Sequence, residues 1–163
     1  MRRSKGTLAA GFIGWQLLSF AAAVVGGIAS ADAPEFYRQL VRPDWAPPPQ
    51  AFAPVWTILF ALMGAAAWLV WTRQSDGRTR TALGLFVVQL GFNALWSWIF
   101  FVWRSGAWAF VEAFVLWLLV ASTAVAFWRV QKWAAVLLIP YLAWVTYALC
   151  LTYAIWQRNP QAL

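Results

Sequence analysis

The chain has no histidine and a single cysteine, Cys150. Without imidazole there is no Ser-His-Asp triad, no imidazole base and no usual haem axial ligand. One thiol excludes an internal disulfide and a multi-cysteine metal site. Cys150 sits in an apolar run and reads as packing. Charge is scarce as well: 10% of residues are Asp, Glu, Lys or Arg, against about 25% in a soluble domain. Glu112 is the only acidic residue inside an apolar run, so no carboxylate pair is available there for glycosidase-type chemistry. No glycine-rich phosphate loop appears. A conventional enzyme, a metal site and a resident cofactor are therefore not expected.

What is present is apolar. Of 163 residues 63% are hydrophobic, and 14 are tryptophan. This composition suits lipid as solvent. The net charge of +7 comes from basic residues scattered at the ends of apolar runs. They form no stripe, so no nucleic-acid partner is expected. The length allows one domain.

Five apolar runs are long enough to cross a bilayer, at residues 7–30, 51–71, 81–103, 107–128 and 133–156. They predict an all-α membrane protein, a bundle of five transmembrane helices in one domain spanning 1–163. Ala29-Ser30-Ala31 resembles a signal-peptidase site, but the run before it exceeds the roughly 7–15 apolar residues of a signal peptide. A retained helix is expected. Pro140 falls inside the fifth run, where neighbouring helices can satisfy the carbonyl it frees. With the N-terminus inside, eight basic residues lie on inner segments (Arg2, Arg3, Lys5, Arg73, Arg78, Arg80, Arg129, Lys132) and four on outer ones (Arg38, Arg42, Arg104, Arg158). The positive-inside rule then predicts N-in, C-out.

Residues 31–50 form the first loop, and the stretch 42–56 concentrates five of the eight prolines. Pro47-Pro48-Pro49 cannot sit inside a helix, so the stretch reads as a stiff, extended connector entering the second span, with Pro54 in its first turn. It is expected to roof a pocket between the helices.

Seven tryptophans lie at span ends (Trp68, Trp71, Trp103, Trp108, Trp128, Trp133, Trp156) and read as an interfacial belt. The others are Trp15, Trp45, Trp56, Trp96, Trp98, Trp117 and Trp144. At 1.5 Å per residue, Trp56, Trp96, Asn93, Glu112, Trp117, Trp144 and Ala148 fall in one half of the membrane, below the proline-rich loop. Gln89, Asn93 and Ser97 are spaced i, i+4, i+8 and form one stripe on the third span. Amides in lipid face either a partner helix or a cavity. Glu112 faces the same choice, or snorkels to the interface. Indole faces, amides and one carboxyl would suit a flat, hydrophobic, aromatic ligand with a few polar groups. On the third span, Gly84 and Gly91 share a face that Ala94 extends, a small surface suited to a homodimer.

Several blocks together resemble the translocator protein family, also called tryptophan-rich sensory proteins or peripheral-type benzodiazepine receptors. Pro43-Asp44-Trp45-Ala46-Pro47-Pro48 resembles the family's K-P-x-W-x-P-P, with Arg42 in place of the lysine. Pro54-Val55-Trp56-Thr57-Ile58-Leu59-Phe60 resembles P-x-W-x-x-L-[YF]. Gln89-Leu90-Gly91-Phe92-Asn93-Ala94-Leu95-Trp96 resembles Q-L-x-x-N-x-x-W, followed by Phe100-Phe101. Glu112 falls where the family has an acidic residue in its fourth helix. Pro140-Tyr141-Leu142-Ala143-Trp144 resembles P-Y-x-x-W. The match covers roughly residues 37–158, in order. Thr152 stands where asparagine is common, and the first helix matches only in length.

The resemblance implies a five-helix bundle, usually dimeric, that binds porphyrins, sterol-like lipids and isoquinoline or benzodiazepine drugs under the first loop. By position the pocket would include Trp45, Trp56, Phe60, Asn93, Trp96, Ser97, Ala113, Trp144 and Ala148. It implies a sensor, a sequestering protein or a transporter. Light- and oxygen-dependent porphyrin breakdown, involving Trp56, is the alternative, and a structural or regulatory membrane partner the third. Leu151-x-Tyr153-x4-Arg158 fits a proposed cholesterol-contact pattern.

Overall fold

The computed structural model describes residues 4–73 and 76–163. Arg2 and Arg3 of the basic head, and residues 74 and 75 of the second loop, lie outside the described residues. All regular structure among the described residues is helical. The elements are α1 (Lys5–Ala29), α2 (Ala33–Gln39), α3 (Phe52–Trp71), α4 (Gly77–Ser97), α5 (Gly106–Val130) and α6 (Lys132–Arg158). Five of them are long and apolar enough to cross a membrane: α1, α3 with its leading turn, α4 with its trailing turn, α5 and α6.

The helix ends are set by local chemistry. Ser4 accepts the Thr7 amide at the start of α1. Asp76 accepts the Thr79 amide at 2.8 Å at the start of α4, and that bond holds the exposed Asp76 carboxyl below its usual range. Helix α4 therefore begins at Gly77, four residues before the expected span. Its far end widens into a π-helical turn, Trp98–Val102, closed by the Trp103 amide on the Trp98 carbonyl at 2.9 Å. Arg104 then takes a left-handed conformation (φ 50°), which reverses the chain into α5.

The five spanning helices close a ring in the order α1, α3, α6, α5, α4. Sequential spans run antiparallel, joined by short loops after the long first one. The core holds Met63, Ala66 and Val70 of α3, Phe86 of α4, Phe127 of α5, and Leu138 and Tyr141 of α6. Phe86 and Phe127 stack with centroids 5.9 Å apart.

The first loop is helical ahead of its proline-rich stretch. It contains α2, whose Pro34 lies in the first helical turn, where a missing N–H costs nothing. Phe36, Tyr37 and Leu40 are buried against Ile99, Phe100, Ala109, Leu151 and Ile155. Fully burying such side chains contributes about 1.5–3 kcal/mol each. Beyond α2 the expectation holds. Pro48 is extended (ψ 149°), Pro49–Ala51 form one 3-10 turn, and Pro54 sits in the first turn of α3.

Three tryptophans at span ends do more than mark an interface. Trp68 Nε1 donates to the Leu8 carbonyl of α1 at 3.0 Å. Trp71 lies over Gly11, where any Cβ would collide with its ring, and Trp156 lies in the same way over Gly106. Trp71 and Trp156 thus bind helix to helix through glycine notches, and Trp68 through its hydrogen bond. Trp103, Trp108, Trp128 and Trp133 are exposed, as belt residues are. Cys150 is also exposed on α6, so it does not pack inside the bundle.

Candidate functional site

A cavity of about 480 Å³ lies under the first loop, within the range of small-molecule sites. Of the residues named from sequence, Trp56, Phe60, Asn93, Trp96, Ser97, Ala113, Trp144 and Ala148 line it. Trp45 does not. Its indole is half exposed above the bundle, edge-on to Tyr147 at 5.5 Å, and the Tyr147 hydroxyl donates to its carbonyl at 2.8 Å. An extended segment has no helical period to tell which side faces in, so the motif located the roof and not the ring.

The aromatic walls are built by α3, α4 and α6. Trp56 stands edge-on to Tyr141 (6.3 Å) and Trp144 (6.4 Å) and tilts over Phe60 (5.6 Å). Trp96 stacks on Phe100 at 5.0 Å, nearly parallel at 13°. The Nε1 atoms of Trp96 and Trp144 are buried with no hydrogen-bond partner among the described residues. Phe52 of α3 and Phe20 of α1 complete the apolar lining. No Lys, Arg, Asp or Glu is among the lining residues described.

The polar stripe of α4 is divided. Gln89 is fully inside the bundle, accepting the Tyr141 hydroxyl at 2.8 Å. Asn93 donates to the same hydroxyl at 3.0 Å while also lining the cavity. Ser97 lines the cavity near Gly26 of α1. Tyr141 thus gathers both amides, a partner the spacing of α4 alone could not name. Glu112 is buried, so it does not snorkel, and neither carboxyl oxygen has a partner among the described residues. It lies next to Ala113 but does not line the cavity.

The roof is fastened from several directions. The Val41 amide donates to Asn159 Oδ1 at 2.8 Å, and Asn159 Nδ2 donates back to the Val41 carbonyl at 2.9 Å. The Tyr37 hydroxyl donates to the Pro47 carbonyl at 3.2 Å. Burial pushes that hydroxyl above the usual tyrosine range, partly offset by Arg42, so it stays a donor. The guanidinium of Arg42 covers the Tyr37 ring and that of Arg104 the Phe36 ring, at 4.9 and 4.8 Å. Neither Tyr37 nor Asn159 had been singled out by sequence; both lie outside the five apolar runs.

The TspO/MBR family model matches residues 15–157. The chain belongs to the TspO/MBR family. It is 42% identical over 126 residues to the tryptophan-rich protein TspO of Chlorobaculum tepidum, covering 77% of this chain and 80% of that one. It is 39% identical over 127 residues to the Homo sapiens translocator protein, 76% of this chain and 75% of that one. With the tryptophan-rich sensory protein of Cereibacter sphaeroides it shares 38% over 139 residues, 85% of each. This TspO/MBR protein is a multi-pass membrane protein, and bacterial relatives fit a bacterial membrane.

The residues of the cholesterol-contact pattern do not all share a face. Leu151 is buried and lines the cavity. Tyr153 is half exposed on the outside, against Phe110 at 5.3 Å, and Arg158 donates to the Ala154 carbonyl of its own helix. The small surface expected on the third span is altered as well. Gly84 and Gly91 are exposed with open space around them, beside Val87, Val88 and Leu95. Ala94 is instead buried, with its backbone against Gly26 of α1.

Proposed function

We propose that the cavity binds a flat, hydrophobic aromatic molecule of the porphyrin class, and that the protein senses, sequesters or moves it. The observation that carries this reading is the set of three indoles, Trp56, Trp96 and Trp144, around one uncharged space of about 480 Å³. Indole faces reward planar aromatic ligands, and the two unpartnered indole N–H groups favour a ligand with acceptor atoms. With no histidine in the chain, ligation of a central iron is not the source of affinity. Metal-free protoporphyrin then binds about as well as haemin. A preference for haemin of tenfold, about 1.4 kcal/mol, contradicts that.

Photo-oxidative degradation is the competing use of the same cavity, since Trp56 stands where a bound ring would lie. A titration of metal-free protoporphyrin in the dark and under light separates them. Stoichiometric quenching with no product supports a binder; a defined product with turnover above one supports an enzyme; no quenching at all supports a purely structural partner. The exposed stripe of Gly84, Val87, Val88, Gly91 and Leu95 on α4 is proposed as the homodimer face.

A further inference from the structure

Four residues that line the cavity are also exposed at the bundle surface: Gly27 of α1, Pro34 of α2, and Ala53 and Thr57 of α3. They belong to one seam. Toward the opposite side of the membrane α1 and α3 are closed. There Trp71 covers Gly11, Trp68 bonds the Leu8 carbonyl, and Gln16 sits on Gly64 and bonds the Ala61 carbonyl at 3.0 Å. The register that sets Gln16 beside Gly64 and Phe20 beside Phe60 places Ala23 level with Thr57 and Gly27 level with Ala53. Past the Phe20–Phe60 contact the level pairs are small, Ala23 with Thr57 and Gly27 with Ala53, and Gly27, Ala53 and Thr57 are exposed there.

The opening lies within the apolar spans, close to their first-loop ends. Gly27 is two residues below the end of α1 and Thr57 five residues into α3, about 3–8 Å along the axes. Its rim has no charge, and its one hydroxyl, on Thr57, is bonded to the Ala53 carbonyl at 2.8 Å. The water-facing side is closed by the Val41–Asn159 pair and the Tyr147–Trp45 and Tyr37–Pro47 bonds. A ligand arriving from water must break these bonds; one arriving from the bilayer meets none of them.

We infer that the cavity exchanges its ligand sideways with the bilayer, through the gap between α1 and α3 bounded by Gly27, Ala53 and Thr57. The ligand is accordingly membrane-dissolved, and the part of it that enters is uncharged. This rests on the aromatic-ligand reading of the cavity. A Cβ at Gly27 meets no atom within 4 Å, so a large side chain can be added at this edge of the cavity without displacing the core.

The test uses full-length protein in phosphatidylcholine nanodiscs, with the dimethyl ester of metal-free protoporphyrin delivered from phosphatidylcholine vesicles. Stopped-flow tryptophan quenching reads the rates. Gly27→Phe and Ala53→Phe should slow association and dissociation at least tenfold. Gly14→Phe, at an open position elsewhere on α1, and Asn159→Ala, which loosens the roof, should keep the parent rates. Binding by all variants at the parent rate, or acceleration by Asn159→Ala alone, overturns the lateral route and leaves the ligand reading standing. Absence of quenching in the parent overturns both.

Discussion

Asn93 Nδ2 donates a 3.0 Å hydrogen bond to the hydroxyl of Tyr141, joining α4 to α6 just beneath the cavity floor. The same hydroxyl donates to Gln89 Oε1 at 2.8 Å, so two amides and one phenol satisfy each other in an apolar surround. The cavity thus rests on a polar brace that fixes two of its walls.

Tyr141→Phe keeps the ring and removes the brace. Membrane hydrogen bonds average about 0.6 kcal/mol, and up to about 1.7. Losing two of them should cost about 1–2 kcal/mol, read as a lowered unfolding midpoint in detergent. A parent-like midpoint means that the amides find other partners and the brace carries no stability.

Asn159 holds Val41 by a reciprocal pair of bonds. Asn159→Ala removes both and should cost about 1–3 kcal/mol, at about 0.5–1.5 kcal/mol for each hydrogen bond lost. Hydrogen exchange of the Val41 amide should accelerate at least tenfold while exchange in α5 stays unchanged. Unchanged protection at Val41 shows that the loop is held by the apolar contacts of Phe36, Tyr37 and Leu40 alone.

Gly84 and Gly91 leave open space on the outer face of α4. If that face joins two copies, substituting both by Leu should shift cross-linking in membranes toward monomer, without lowering the unfolding midpoint of the monomer. An unchanged dimer places the interface elsewhere. Ala94→Leu should behave differently and destabilise the monomer, because Ala94 is buried against α1.

The five spans could be read in the sequence because lipid imposes one strong rule, a long apolar helix wherever the chain crosses. The cavity walls Trp56, Asn93, Trp96 and Trp144 could be placed by depth along those helices. What stayed hidden depended on partners distant in the chain. Trp71 and Trp156 stand at span ends as belt residues do, and only Gly11 and Gly106, which they cover, reveal them as packing. Helix α2 was hidden because Pro34 reads as a breaker unless it falls in the first turn. Trp45 was misjudged because an extended chain has no period from which to infer its facing. Glu112 could be read as reaching the interface until the packing of α5 showed it enclosed.

The central claim is that Trp56 is a wall of a ligand cavity and not merely core. Trp56→Phe keeps most of the apolar area, so the ligand-free unfolding midpoint should stay near the parent's. Aromatic stacking on one face is worth about 1–3 kcal/mol, so metal-free protoporphyrin should bind at least several-fold more weakly. Any light-driven breakdown should fall further than binding does. Trp133→Phe is the control, because Trp133 is exposed at the start of α6 and far from the cavity lining. Fluorescence-quenching titrations of the parent and both variants decide it. The account predicts weakened binding for Trp56→Phe alone; equal affinities for all three proteins would contradict it.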